Sequence, residues 1–388
     1  MPRHPSVAAS TATLSSRVFS GLATRAAEKR ARGEVVHPLH VGDTWEEPLE
    51  VARAESQRSA ALPLVHQYAP VQGEPVLLDA VEKQLATHRD VPRDRIQIVS
   101  GATSGLMVIS RALLDPGDEV LLPAPYWPLI RGIIASRGAV PVEVDGLAHL
   151  APTDLRAALE AAITPRTVAL YLNSPHNPTG AMWSDAQVEQ AVQVAVAHDL
   201  WIVCDEAYEE IYFGDPPRPI WARDDVQDRY VACHTSSKTY GLAGARVGWA
   251  HGCEAAMQAV RGCQTFLNYC APRPMQHGVA AAIQHGDAFL ARRRDQFGAA
   301  ARLAAERLDV DVPPGGTFLF FDATPHMLDG ETDALPFLER ALDHGVLLTP
   351  GAACGASYGR WVRLCFTSLP LDALEEALDA LAPVLRRG

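Results

Sequence analysis

A lysine lies among small hydroxylated residues near the middle of the chain. Lys238 follows Thr235 and Ser237 and precedes Thr239, and an apolar, strand-like run at residues 230–233 ends just before them. In a cleft at the end of a strand, partial burial lowers the pKa of a lysine, and the neutral amine is a nucleophile. Taken alone, the stretch fits a nucleophilic lysine and an ordinary loop lysine equally well.

Polar side chains also follow the other apolar runs of the chain. Asp205 and Tyr208 come after the run at 201–204, and Asn177 comes after the run at 167–172. A carboxylate at the end of an apolar strand is partly buried and needs a cationic or proton-bearing partner. Further candidates hold similar positions: Gly101, Ala102, Thr103, Trp127 and Arg246.

One kind of ligand would use all of these groups. It is a planar ring with a ring nitrogen, a phenolate oxygen and a phosphate, and it bonds covalently to lysine, which describes pyridoxal phosphate. Its phosphate would be held by Thr103, Thr235 and Arg246, together with backbone N–H groups of the helix that begins after Gly101. Trp127 would stack on the ring.

The remaining polar groups match the ring and its reactive carbon. Asp205 would pair with the ring nitrogen and keep it protonated, so that the ring withdraws electrons. Asn177 and Tyr208 would hydrogen-bond the ring oxygen. Lys238 would form a Schiff base with the cofactor and then act as general base and acid on the α-proton of the substrate. The predicted catalytic residues are therefore Lys238, Asp205 and Tyr208.

The periodicity of the chain predicts how these residues are brought together. Strand and helix alternate, and the strands are continuously apolar, which is typical of a mostly parallel sheet covered by helices on both faces. The runs that predict its seven strands span residues 96–100, 119–123, 140–144, 167–172, 201–204, 230–233 and 247–250. Sites in such sheets form beyond the carboxyl ends of the strands, where the candidate residues lie.

After residue 285 the pattern changes to shorter, mixed elements. We expect an α/β protein whose mostly parallel seven-stranded sheet is flanked by helices, with a smaller α+β domain built from the two termini. The expected parts are an N-terminal segment that contributes to the small domain, residues 1–45; a large cofactor-binding domain, 46–285; and a small C-terminal domain, 286–388.

Three motifs occur together along the chain. They are Asn-Pro-Thr-Gly at 177–180, Asp205-x-x-Tyr208, and Ser-Lys followed by Gly-x-Arg-x-Gly within 237–248. With these motifs the chain resembles the class I/II aminotransferase family of fold-type-I pyridoxal-phosphate enzymes. The resemblance covers nearly the whole chain. The resemblance implies transfer of an amino group between an amino acid and a 2-oxo acid.

The resemblance also implies roles for residues outside these motifs. It implies a homodimer with the active site at the interface, in which Tyr68 reaches the phosphate of the neighbouring subunit's cofactor. Arg363 matches the arginine that clamps the substrate α-carboxylate, a planar anion that suits a two-pronged guanidinium. Gly42 matches the glycine that borders the substrate. Together with Trp45 and Asn177, these residues form the predicted substrate-binding set.

Departures from the family pattern and other reactions of the same fold leave alternatives open. The family usually has Ser or Gly where Thr235 stands, and the retained hydroxyl keeps a phosphate contact. The same constellation also suits a carbon–sulfur lyase or another elimination enzyme, or a cyclopropane-forming synthase. A cofactor-binding regulatory protein is disfavoured, because no helix-turn-helix pattern precedes the core.

The substrate side chain is not determined by these motifs. Some acidic-specific relatives carry a lysine in the turn at 102–104, and its absence here weakens the case for aspartate or glutamate as the primary substrate. An apolar or aromatic side chain would suit Trp45 and Tyr126. The acidic residues nearby would suit a cationic side chain or would simply be solvated; they are Asp43, Glu46 and Glu47.

The composition of the chain argues against several other classes of protein. A net charge of −12 without a Lys/Arg run argues against nucleic-acid binding, and no apolar stretch is long enough to span a bilayer. Seven cysteines without a CxxC pair predict buried thiols in a reducing compartment, so we expect a cytoplasmic enzyme.

Residues 1–27 have a transit-peptide composition, but we favour a disordered start and a helix over about 14–32. His37 and His40 lack a third ligand, so we expect no metal.

Overall fold

The computed structural model describes residues 20–58, 62–145 and 155–385. The first part of the predicted N-terminal helix and most of the transit-like stretch lie outside these ranges. The strands are β1 (His37–Pro38), β2 (Ile96–Val99), β3 (Glu119–Ala124), β4 (Val140–Asp145), β5 (Thr167–Asn173), β6 (Trp201–Asp205), β7 (Tyr230–Thr235), β8 (Gly248–Gly252), β9 (Phe318–Asp322), β10 (Val346–Leu347), β11 (Thr349–Pro350) and β12 (Trp361–Cys365).

The helices surround these strands. They are α1 (Ser20–Ala31), α2 (Glu50–Ser56), α3 (Pro75–Leu85), α4 (Ala102–Leu113), α5 (Pro128–Ser136), α6 (Leu155–Ala162), α7 (Asp185–Ala197), α8 (Ser236–Thr239), α9 (Glu254–Leu267), α10 (Arg273–His285), α11 (Asp287–Leu308), α12 (Leu335–Asp343) and α13 (Leu371–Leu381). Within the described ranges no helix is long and apolar enough to cross a membrane.

The central sheet has the strand order β2-β8-β7-β6-β5-β3-β4. β8 alone runs in the direction opposite to the other six strands, so the predicted mostly parallel seven-stranded sheet is confirmed. Its strands are apolar throughout because both faces are covered. In β5, for example, Leu170 and Leu172 join the core on one face, whereas Ala169 and Tyr171 join the core on the other.

A second, smaller unit combines the two ends of the chain. β11, β12 and β9 form an antiparallel sheet, and β1 pairs in parallel with β10. Leu39 from the N-terminal segment shares one core with Phe337 and Leu374. The predicted α+β unit from both termini is therefore confirmed, whereas the domain limits after residues 45 and 285 stay predictions.

Glycines set the limit of one strand and the packing of one helix pair. Strand β9 begins only at Phe318, because Gly316 has a φ of +69° and turns the chain just before it. Helices α9 and α10 each contain an interior glycine, Gly262 and Gly278. A Cβ at Gly278 would lie 2.6 Å from the carbonyl oxygen of Ala52, so this glycine lets α2 and α10 pack closely.

Candidate active site

A cavity of about 270 Å³ opens at the carboxyl ends of β5, β6 and β7. The residues that line it are Val41, Gly42, Ala102, Thr103, Trp127, Asn173, Asn177, Asp205, Ala207, Tyr208, Thr235, Ser237, Lys238, Ala243, Arg246, Phe318 and Arg363. Most of the predicted site residues are therefore brought together, and three of them, Gly101, Trp45 and Tyr68, do not line the cavity.

Lys238 is presented by a tight turn between β7 and β8. Thr235 ends β7 in an extended conformation and caps the one-turn helix α8, because its hydroxyl accepts a hydrogen bond of 3.2 Å from the backbone N–H of Ser237. The hydroxyl of Ser236 donates a bond of 2.9 Å to the carbonyl of Val247 and holds the turn against the start of β8. Burial lowers the pKa of the Lys238 ammonium, which favours the nucleophilic form.

Asp205 is the last residue of β6 and is only 4% exposed. The Tyr171 hydroxyl donates a hydrogen bond of 2.6 Å to its Oδ2, and the Ala207 N–H donates one of 3.2 Å to its Oδ1. Burial raises the pKa of Asp205 to about 6, and these two bonds oppose the rise. The carboxylate is therefore mostly ionised at neutral pH and faces the cavity.

Sequence reasoning missed Tyr171 and Asn173. The Asn173 side chain accepts the backbone N–H of Asn177 at 2.7 Å and donates to the carbonyl of Asp205 at 2.8 Å, so it holds two predicted site residues. A signal for Tyr171 existed, because the hydroxyl of a tyrosine inside an apolar strand usually finds a hydrogen-bond partner when it is buried. The position of that partner on the neighbouring strand depends on the register of β5 and β6.

The opposite wall of the cavity carries Arg363 on β12. Its Nη1 group donates to the Oδ1 of Asn177 and its Nη2 group to the carbonyl of His40, both at 3.0 Å, and the guanidinium lies 4.2 Å from the ring centre of Phe318. The Nε of Arg363 is buried and has no hydrogen-bond partner in the described part of the chain. Asn177 also donates to the Tyr208 hydroxyl at 3.3 Å.

A second cationic corner forms where α4 begins. Arg246 has a left-handed backbone with a φ of 52°, and its guanidinium donates to the carbonyls of Ser100 and Ala243 at 3.2 and 2.8 Å. A Cβ at Gly101 would lie 2.6 Å from its Nη2, so glycine at 101 leaves the room that the guanidinium fills. The free N–H groups of α4 and the Thr103 side chain face the same space. This set of donors suits a dianion.

The residues present therefore fit pyridoxal phosphate. The cavity combines a donor-rich corner for the phosphate, the Asp205 carboxylate at the end of β6 and a lysine of lowered pKa. Among the described residues no group of three His, Cys, Asp or Glu side chains is placed to hold a metal ion.

Two residues considered for substrate choice, and the tyrosine expected to reach the partner's cofactor, lie outside the cavity. Trp45 is partly exposed outside the cavity. Tyr126 is buried in the core and hydrogen-bonds Glu143, so the suggestion that it contacts the substrate is wrong. Tyr68 is 80% exposed, and its ring lies edge-on to Tyr269 at 5.0 Å.

Comparison with known proteins defines the class. The model of the family "Aminotransferase class I and II" matches residues 36–381, so the chain belongs to this family. Members of the family depend on pyridoxal phosphate and transfer amino groups, and this chain is accordingly a pyridoxal-phosphate-dependent aminotransferase.

Its relatives act on different substrates. The chain is 31% identical to a probable N-succinyldiaminopimelate aminotransferase of Mycobacterium tuberculosis, over 83% of this chain and 86% of the relative. It is 29% identical to an arginine–pyruvate transaminase of Pseudomonas aeruginosa, over 92% of both chains. The crystal structure of the Rhizobium meliloti aspartate aminotransferase superposes with a TM-score of 0.90 at 25% identity, over 98% of this chain and 99% of that one.

Proposed function

We propose that Lys238 binds the cofactor as a Schiff base and carries the α-proton, while Arg363 holds the carboxylate of the amino acid or 2-oxo acid. The observation that carries this proposal is that Lys238, Asp205, Arg246 and Arg363 line one cavity. A nucleophile, an anion and two cationic corners in one cavity match a phosphorylated ring and a carboxylate substrate.

The phosphate end of the cofactor is held by Arg246, Thr103, Thr235 and the N–H groups of α4, beginning at Ala102. Because Arg246 already bonds the carbonyls of Ser100 and Ala243, its guanidinium is fixed before the cofactor arrives. Gly101 belongs to this set through its backbone, since it leaves room for the guanidinium.

The ring end is held by four side chains. The Asp205 carboxylate pairs with the ring nitrogen, Trp127 stacks on the ring, and Asn177 and Tyr208 hydrogen-bond the ring oxygen. When bound, pyridoxal phosphate supplies an electron-withdrawing ring that stabilises the negative charge left by removal of the α-proton. Asp205, which is mostly ionised at neutral pH, would maintain this property by pairing with the protonated ring nitrogen.

Arg363 and Lys238 act on the substrate itself. The guanidinium of Arg363 presents two N–H groups to the α-carboxylate and orients the α-carbon toward Lys238, and the backbone at Gly42 borders the substrate. Burial lowers the pKa of Lys238, and its amine would take the α-proton of the substrate as general base and then give it back as general acid.

We also propose a homodimer in the cytoplasm. An exposed apolar face supports the dimer: Phe266 is 90% exposed, and Leu64, Tyr68 and Tyr269 are also exposed. Docking of a second copy on this face would bury it and would bring Tyr68 toward the phosphate of the partner's cofactor. All seven cysteines are free and most are buried, which supports a reducing compartment.

The proposal is tested by the visible absorbance of the purified protein. Wild type and the control Lys83→Ala, which changes a surface lysine of α3, should show the absorbance of the bound cofactor, and Lys238→Ala should lose it. An amino acid panel with acidic, cationic and apolar donors then gives the substrate class. Release of pyruvate and ammonia from cysteine without a 2-oxo acid acceptor would instead favour a carbon–sulfur lyase. Wild type without absorbance in the presence of added cofactor would contradict the proposal.

A further inference from the structure

A buried arginine lies outside the cavity, beside the residue that follows Lys238. Arg293 belongs to α11 and is only 2% exposed. Its guanidinium lies 5.1 Å from the ring centre of Phe289 and 4.8 Å from that of Phe297. Its Nη1 group donates a hydrogen bond of 3.1 Å to the carbonyl oxygen of Thr239. The carboxyl end of the one-turn helix that carries Lys238 is therefore held by a cation.

The other neighbour of Arg293 is Glu46. This residue belongs to the segment of residues 41–47, whose Val41 and Gly42 line the cavity. The distance from the Arg293 Nε to the Glu46 Oε2 is 3.7 Å, which is longer than a hydrogen bond. Within the described residues, the Nε and Nη2 groups of Arg293 and the Oε2 of Glu46 are buried and have no hydrogen-bond partner. A buried donor or acceptor without a hydrogen-bond partner lowers the stability of the folded state. A small movement would turn this contact into a hydrogen-bonded ion pair.

Gly241 lets the segment and the lysine turn approach each other. Its φ is +66°, and a Cβ there would lie 3.2 Å from both the Arg293 Nη1 and the Glu46 carbonyl oxygen, and 3.6 Å from the Thr44 hydroxyl. The hydroxyls of Thr44 and Thr239 are also buried without a hydrogen-bond partner among the residues described. Polar groups from two other parts of the chain thus lie close to Gly241, three residues after Lys238.

The segment is tied at its other side to the end of the strand that carries Arg363. The backbone N–H of Trp45 donates to the carbonyl of Thr367 at 3.1 Å, and the Thr367 hydroxyl donates to the carbonyl of Asp43 at 2.9 Å. Thr367 is the second residue after the end of β12. A continuous set of contacts therefore runs from the substrate-carboxylate arginine through the segment to Arg293.

We propose that Arg293 is a positioning residue for amino transfer, which with Glu46 links the segment bordering the substrate to the turn that holds Lys238. Binding of the substrate carboxylate at Arg363 moves the segment and closes the Glu46–Arg293 pair. The closed pair fixes the Thr239 carbonyl, and with it the direction of the Lys238 side chain. This inference rests on the proposed function, because it requires Lys238 to be the reacting lysine.

The adjacent arginine provides a matched control. Arg292 donates to the other carboxylate oxygen of Glu46 at 2.5 Å, but it is 52% exposed, so its ion pair is largely screened. Arg293→Gln should lower kcat at least about tenfold and shift the apparent pKa of the cofactor absorbance, measured without substrate, by at least about half a unit. Arg293→Lys should recover part of both effects. Arg292→Gln should change kcat and KM by less than about threefold.

A double-mutant cycle tests the link itself. Glu46→Gln should raise KM several-fold, and the Glu46→Gln/Arg293→Gln double variant should be no worse than Arg293→Gln alone, because both changes break one link. Independent effects that multiply, or equal effects of Arg292→Gln and Arg293→Gln, would overturn the proposal.

Folding and function are kept apart by further readouts. Circular dichroism and the melting temperature identify a variant that does not fold. If Arg293→Gln does not fold, the double-mutant cycle is built from Arg293→Lys and Glu46→Gln instead. Absence of the cofactor absorbance in wild type would be a failure of the proposed function. Normal absorbance with unchanged kcat, KM and absorbance pKa in Arg293→Gln would overturn only the positioning role.

Discussion

Replacement of Tyr171 by Phe should make cofactor binding more sensitive to acid. The change removes the hydroxyl that donates 2.6 Å to Asp205 Oδ2 and keeps the ring in the core. A hydrogen bond to a charged group contributes about 1.5–3 kcal/mol, and 1.36 kcal/mol corresponds to about one pKa unit. Asp205, whose pKa burial raises to about 6, should therefore titrate roughly 1–2 units higher in the variant.

The consequence depends on pH because only the ionised carboxylate pairs with a protonated ring nitrogen. With a shift of about 1.5 units, the ionised fraction at pH 6.5 falls from about three quarters to about one tenth, so the dissociation constant of the cofactor should rise about eightfold. At pH 9 both proteins are ionised and the two dissociation constants should agree.

The assay is a fluorescence titration of the cofactor-free enzyme with pyridoxal phosphate at both pH values. Tyr230→Phe is the matched control, since Tyr230 is a buried tyrosine of strand β7 in the same sheet, and its hydroxyl contacts His251 instead. This control should match wild type at both pH values. A Tyr171→Phe variant that differs from wild type by the same factor at pH 6.5 and at pH 9 would refute the reasoning.

Three further changes test other parts of the site and the fold. Gly101→Ala places a Cβ 2.6 Å from the Arg246 Nη2 and should weaken cofactor binding about tenfold, whereas Gly244→Ala, with open space around its Cβ, should not; a fluorescence titration measures both. Arg363→Lys keeps the charge but loses the two-pronged geometry, so kcat/KM should fall about 10–100-fold for every amino acid donor while the cofactor absorbance stays normal. Burial raises the pKa of Glu209 from 4.5 to about 8, so the folded state binds more protons than the unfolded state between these pH values. The free energy of unfolding therefore falls as pH rises through this range. Urea titrations at several pH values should show a smaller fall for Glu209→Gln, and an unchanged fall would contradict the assignment.

The residues at the strand ends were predictable because the apolar runs that precede them are unmistakable. Asp205 directly follows one continuous apolar stretch, and a polar group at such a boundary requires a partner. Lys238 lies five residues beyond the end of another. Tyr171 escaped because it lies inside an apolar run and its role depends on which strand lies beside β5. Strand order is a property of the tertiary fold, which periodicity does not specify.

Arg293 shows a different limit of sequence reasoning. It is the middle member of three consecutive arginines in α11, and nothing local distinguishes it from Arg292 or Arg294. Only packing against the segment of Glu46 and the turn of Lys238 buries one guanidinium and leaves its neighbour exposed. Tyr126 shows the converse, because its position after an apolar run predicted a cavity residue and the fold placed it in the core.

The central claim is that Lys238 is the residue that binds the cofactor, and the chain allows a direct test. It contains three lysines, Lys29, Lys83 and Lys238. Reduction of the purified enzyme with borohydride should fix the cofactor to its lysine, and peptide mass spectrometry should then find the added pyridoxyl phosphate on the peptide that contains Lys238. Its recovery on the peptides of Lys29 or Lys83 instead, or on none of the three, would contradict the account.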